Sequence, residues 1–162
     1  GTGLNLPHYQ SAEMVVGIEP DPHMISRACR RARETRVPVQ LVIARGEALP
    51  FRDGTFDSVI ATLVFATIPD GPAAARELRR VLKSEGTFRF FEHFRSEKPS
   101  LARLQDWVTP FWRRFLGGCE PNRDIMRIFV EAGFQVLETT KFRGTFLLHG
   151  TARPVRSRGR GP

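Results

Sequence analysis

Cysteine is scarce in this chain. Two residues, Cys29 and Cys119, exclude a disulfide framework, and their spacing excludes a paired metal-ligand motif. A reducing, cytoplasmic setting is the default for such usage. No apolar run approaches the ~18 residues that a membrane-spanning helix requires. No segment repeats, and no signal-peptide pattern opens the sequence. Acids are outnumbered, with 17 Asp and Glu against 25 Lys and Arg, for a net charge of +8. Part of that surplus is terminal: Arg153, Arg156, Arg158 and Arg160 stand among Gly159, Gly161 and Pro162 with no acid. Residues 153–162 therefore read as a basic disordered tail, and residues 1–152 as the domain. The pairs Arg30-Arg31, Arg79-Arg80 and Arg113-Arg114 read as solvated helix faces. No RNA-binding motif accompanies the charge, so nucleic acid is not an expected partner.

What is present suits one soluble domain. The 162 residues are 41% hydrophobic and 26% charged, enough for a sizeable core under a wet surface. Strand and helix signals alternate. Residues 14–18 are a β-type run, and Asp21-Pro22 caps a helix reaching about Thr35. Residues 38–44 and 58–62 are further buried strands. Asp70-Gly71-Pro72 starts a helix that Ser84-Glu85-Gly86 ends, and residues 87–92 form the next strand. Asn122 caps a helix over 123–132, stopped by Gly133. Residues 135–140 and 145–152 are two final strands, joined around Arg143-Gly144 and antiparallel. Alternation of this kind predicts an α/β fold with a doubly wound, mostly parallel sheet and an antiparallel C-terminal strand. Ligands in such sheets bind at the carboxyl ends of the strands.

The chemistry-bearing residues fall at those ends. Gly1-Thr2-Gly3-Leu4-Asn5 is a glycine loop, followed one strand later by Glu19. Glycines let backbone approach a ligand, and a carboxylate can accept from both hydroxyls of a ribose. This pairing predicts a nucleoside cofactor. Gly46-Glu47, Thr62-Leu63 and Glu92-His93 end the later strands. The strand expected before the glycine loop is missing from the sequence. It would be central to the sheet, so its absence predicts unpaired edges, low stability or edge-mediated association.

Together these motifs resemble the class I methyltransferases that use S-adenosylmethionine, with a Rossmann-like fold. The resemblance runs from Gly1 to about Pro154. It rests on Gly1-Thr2-Gly3, Gly17-Ile18-Glu19-Pro20-Asp21, Glu47-Ala48-Leu49-Pro50-Phe51, Asp53-Gly54-Thr55-Phe56-Asp57 and Arg80-Val81-Leu82-Lys83-Ser84-Glu85-Gly86. A narrower similarity, to thiol methyltransferases and bacterial phospholipid N-methyltransferases, rests on Gly1–Leu6, Thr62-Leu63-Val64, Glu92-His93 and Gly118-Cys119-Glu120-Pro121-Asn122-Arg123. The resemblance implies S-adenosylmethionine bound by Gly1, Gly3, Asn5, Glu19, Pro20, Gly46, Glu47, Thr62 and Leu63. It implies a small apolar or lipid-like acceptor, methylated on sulfur, nitrogen or oxygen. Where many relatives carry an acid for the adenine amino group, this chain has Arg45, so adenine would rest on backbone at Gly46-Glu47.

Methyl transfer needs a base only when the nucleophile arrives protonated. His93 is the candidate, or else a histidine hydrogen-bonded at a strand end. His8 is a weaker candidate, Asp21 reads as a cap, Asp57 as a structural turn residue and Cys119 as a packed thiol. Leu101, Leu104, Trp107, Val108, Phe111, Trp112 and Phe115 share helical spacing, with Arg103, Arg113 and Arg114 beside them. The stretch 101–116 is a lid, a core-facing helix or a peripheral membrane contact. Two rival functions remain. A nicotinamide-dependent oxidoreductase is opposed by Leu6, which stands where G-x-G-x-x-G requires glycine. A non-catalytic Rossmann-like binding module would keep the fold and lose the activity. The oligomeric state and the acceptor are not legible.

Overall fold

Each of the first two long helices begins at an aspartate with a proline one or two positions further on. The Asp21 carboxylate accepts the His23 N–H at 2.7 Å, and Pro22 opens α1 (Pro22–Ala32). The Asp70 carboxylate accepts the Ala73 N–H at 2.9 Å at the start of α2 (Gly71–Val81). Both satisfy an N–H that a helix start leaves without an internal partner. The structure is a computed structural model and describes residues 1–115 and 118–155. Most of the expected basic tail, 156–162, and Leu116 at the end of the amphipathic stretch lie outside the described residues.

The chain divides into two units, Gly1–Pro50 and Phe51–Pro162. In the first, a short 3-10 turn (Leu6–His8) precedes β1 (Val15–Ile18), α1 and β2 (Val39–Val42). The strands β1 and β2 pair in parallel, with Val15 opposite Val39 and Ile18 opposite Val42. Buried Leu6, Ala28, Val37 and Leu49 anchor this unit.

The second unit holds β3 (Phe56–Thr62), α2, β4 (Leu82–His93), α3 (Pro99–Phe115), α4 (Ile125–Glu131), β5 (Phe134–Lys141) and β6 (Leu147–Pro154). Its sheet runs β3-β4-β6-β5, with β3 parallel to β4, and β6 antiparallel to both β4 and β5. Phenylalanines fill its core. Phe129 of α4 meets Phe65 and Phe88 edge-to-face, with centroids 4.8 and 4.9 Å away. Such contacts add to the gain from area burial alone. The parallel strands and the antiparallel C-terminal pair match the sequence reading. The doubly wound sheet, however, is split in two, and among the described residues no strand pairs with β1 or β3 on its open side.

Four local expectations are corrected. The strand expected over 87–92 is longer, because Leu82 already pairs with Phe56. The cap of α4 is Asp124, whose carboxylate accepts the Arg127 N–H at 3.1 Å, while Asn122 donates to Asp106 at 2.8 Å. The last strand, expected over 145–152, runs from Leu147 to Pro154. Finally, α3 does not turn its aromatic stripe to the core. It buries Ala102, Gln105 and Thr109, and the Gln105 amide bonds Ser96 N at 2.7 Å and Phe94 O at 3.1 Å. That buried polar group is satisfied, which makes the inward polar face tolerable.

Gly150 of β6 pairs with Phe90 and Thr139 on either side. A Cβ there would lie 2.5 Å from the Phe90 ring and 2.6 Å from the Glu138 carbonyl. The carbonyl is sheet backbone and cannot move aside. Gly150→Ala is therefore expected to cost about 3 kcal/mol, as overpacking does, read as a lower urea midpoint. An unchanged midpoint would contradict the close packing of β6.

Candidate functional site

The first unit brings the glycine loop to its carboxylate. Gly3 has φ +79, a left-handed backbone. A Cβ at Gly3 would sit 2.9 Å from the Leu6 side chain and 3.1 Å from the Ala28 backbone of α1. Only glycine combines that φ with that approach. The loop is tied to α1, where the Arg31 guanidinium donates to the Thr2 carbonyl at 2.5 Å. Glu19 follows β1 directly. Its Oε1 accepts the Asp21 N–H at 2.9 Å, and its Oε2 pairs with the Gly1 amine. Pro20, exposed, separates Glu19 from the Asp21 cap. Asn5 starts the 3-10 turn and its carbonyl accepts the His8 N–H at 3.0 Å. Gly46 and Glu47 occupy the centre of a tight turn in which Arg45 bridges Ala48.

The second unit holds the remaining expected residues. Thr62 ends β3 opposite Phe91 of β4. Leu63 follows with φ 54, the one non-glycine residue with positive φ among the described residues. Its N–H donates to the Phe91 carbonyl at 2.8 Å, and its side chain is exposed. A bulky residue held left-handed is strained, and such strain needs surroundings that enforce it. Those surroundings are visible. The Glu92 carboxylate accepts the N–H groups of Val64 at 2.8 Å and Phe65 at 3.1 Å. Arg123 donates to the carbonyls of Phe65, at 2.8 Å, and Ile68. The Glu120 N–H donates to the Ala66 carbonyl at 2.7 Å, and Glu120 pairs with Arg123 at 2.7 Å. The segment 118–123 therefore clamps the loop that follows β3.

Glu92 is placed at a strand end beside His93 by the sequence reading, which gives it no role of its own. It shares the inward face of β4 with Phe88 and Phe90, as the two-residue period of a strand dictates. That period was the available signal. A carboxylate ending an apolar strand face cannot reach solvent. Burial pushes its pKa up to about 7, against the two backbone N–H bonds that lower it. Next along the strand, His93 is half-buried, and burial lowers its pKa. Glu92 Oε2 and His93 Nδ1 are the buried side-chain atoms without a hydrogen-bond partner among the described residues. Burial also raises the Cys119 thiol, as do the charges of Glu92 and Glu120, which rules against a thiolate nucleophile there. Asp57 pairs with Lys83 at 2.7 Å, a structural use as expected.

Residues 1–90 match the family described as "Methyltransferase domain". The chain is 30% identical over 142 residues to the human thiol S-methyltransferase TMT1A, covering 85% of this chain and 58% of that protein. It is 28% identical to a phosphatidylethanolamine N-methyltransferase of Cereibacter sphaeroides, covering 86% of this chain and 69% of that one. The chain thus spans little more than half the length of the human relative. A solved structure of a putative methyltransferase from Bacillus halodurans superposes with a TM-score of 0.72 at 16% identity, over 88% of this chain and 84% of that one. At that identity the likeness speaks for the fold alone.

Proposed function

Because this chain belongs to the methyltransferase domain family, we propose that it transfers a methyl group from S-adenosylmethionine to a small apolar or lipid-like acceptor. The observation that carries the reading is the cradle in the first unit, where left-handed Gly3 packs on α1 and Glu19 follows β1. The cradle fits the nucleoside end of that cofactor, since the Asp21 N–H holds the Glu19 carboxylate at the end of β1 and Gly3 leaves no side chain in the way. When bound, the cofactor supplies an electrophilic sulfonium methyl.

The protein's share is position and proton handling. Glu19 accepts the ribose hydroxyls, Pro20 directs the chain into its cap, and Gly1, Gly3 and Asn5 pass the loop backbone along the ligand. The turn at Gly46-Glu47 offers backbone groups to the adenine. A thiol or ammonium acceptor arrives protonated. His93, whose pKa burial lowers, takes that proton on an imidazole nitrogen. The names of the two relatives favour sulfur and lipid-amine acceptors for this chain.

Calorimetric titration of the chain with S-adenosylmethionine, and separately with NADH, tests the reading. Saturable heat with S-adenosylmethionine alone is expected, followed by methylated product from aliphatic thiols or phosphatidylethanolamine micelles. Binding of NADH instead would overturn it. Cofactor binding with no product from any acceptor would favour a non-catalytic binding module.

A further inference from the structure

We propose that the outward face of α3 docks on an anionic phospholipid surface. A surface helix of a soluble protein normally turns its apolar stripe inward. This helix does the reverse. It meets the core through Ala102, Gln105 and Thr109 and leaves Leu104, Trp107, Phe111 and Phe115 outside. Trp107 is 79% exposed, Phe111 65% and Phe115 63%. Spacings of three and four residues place these side chains in one stripe. The rings of Phe111 and Phe115 lie 4.5 Å apart, so the stripe is a continuous apolar surface.

The charges around it select the partner. Arg103 and Arg114 stand three helical turns apart, on the same flank of the stripe. The one acid of the helix, Asp106, is taken up by Arg95 and Asn122. The exposed face therefore combines aromatic and aliphatic bulk with the charges of Arg103 and Arg114, which no acid pairs with among the described residues, the chemistry that inserts among acyl chains beneath phosphate headgroups. Among the described residues no helix is long and apolar enough to cross a membrane. The contact is thus interfacial, with the helix lying in the headgroup plane. Its readout does not depend on methyl transfer, so it stands or falls apart from the activity proposed above.

The two tryptophans of the chain, Trp107 and Trp112, both lie on α3, so selectively excited tryptophan fluorescence reports on this helix alone. The 162-residue chain is titrated with vesicles of phosphatidylcholine, or of equal parts phosphatidylcholine and phosphatidylglycerol, some carrying brominated acyl chains. With the anionic vesicles we expect a blue shift, quenching by the brominated chains, and weakening by salt. Arg103→Ala with Arg114→Ala is expected to weaken binding about 30-fold, from two headgroup contacts. Trp107→Ala with Phe111→Ala is expected to abolish partition. Circular dichroism confirms that both double variants, changed only at exposed positions, remain folded. Absence of any shift with anionic vesicles would overturn the proposal. So would a blue shift that appears without vesicles and grows with protein concentration, since a second copy would then cover the face.

Discussion

Replacing Glu92 with alanine is expected to lower the melting temperature of the second unit by roughly 15 °C. The carboxylate is fully buried and carries two backbone N–H groups, those of Val64 and Phe65. Alanine removes the acceptor and leaves both donors without a partner, at 1–3 kcal/mol each, together with a cavity. A loss of about 4 kcal/mol follows. Glu92→Gln keeps the shape and the acceptor and removes only the titration. The sign of the pH effect follows from the direction of the shift. In the fold Glu92 titrates near 7, above its ordinary 4.5, so the native state binds the extra proton. Its stabilising contribution is fully present below pH 4.5 and is lost as the pH rises through 7. The difference between those limits is about 3 kcal/mol. Urea midpoints at pH 5 and pH 8 should fall with pH in the parent chain and fall less in Glu92→Gln. Identical slopes in the two proteins would mean that Glu92 is not the titrating group.

Glu19→Ala is expected to weaken S-adenosylmethionine binding at least 100-fold. Two hydrogen bonds from ribose hydroxyls to one carboxylate are charge-assisted, worth about 1.5–3 kcal/mol each. Their joint loss is two or more powers of ten in Kd. Glu19→Gln retains one good acceptor without the charge and should fall between the two. The fold is little affected, because among the described residues the bonds of Glu19 are to the Asp21 N–H and the Gly1 amine, both exposed. Calorimetry on the three proteins decides the matter. An unchanged Kd in Glu19→Ala would remove Glu19 from the cofactor site.

The cradle was legible because its signals are local. A glycine loop, an apolar strand, a carboxylate and an Asp-Pro cap follow one another within 22 residues, and the structure folds them within one unit. The caps Asp21 and Asp70 were read correctly for the same reason. The cap of α4 was not, because Asn122-Arg123-Asp124 offers two capping residues within three positions. Tertiary demands decide between them: Arg123 must reach the loop after β3, and Asn122 must reach Asp106. The inward face of α3 was illegible in a different way. Periodicity says which side chains share a face, not which face meets the core. Here the inward face carries Ala102, Gln105 and Thr109, and Gln105 bonds backbone at Phe94 and Ser96, so hydrogen bonding rather than apolar packing sets the face. Glu92 was legible in principle from the alternation of β4, yet an acid at a strand end reads by default as a surface residue.

The left-handed leucine after β3 has a consequence for anyone redesigning this chain. Glycine at position 63 would relieve the backbone strain, so a search for stabilising substitutions would choose it early. Relief would come by deleting an exposed apolar side chain from a loop that Glu92, Glu120 and Arg123 hold in place. Robustness and whatever that leucine touches are therefore opposed at this one position, and a thermally hardened version would have to find its gains elsewhere.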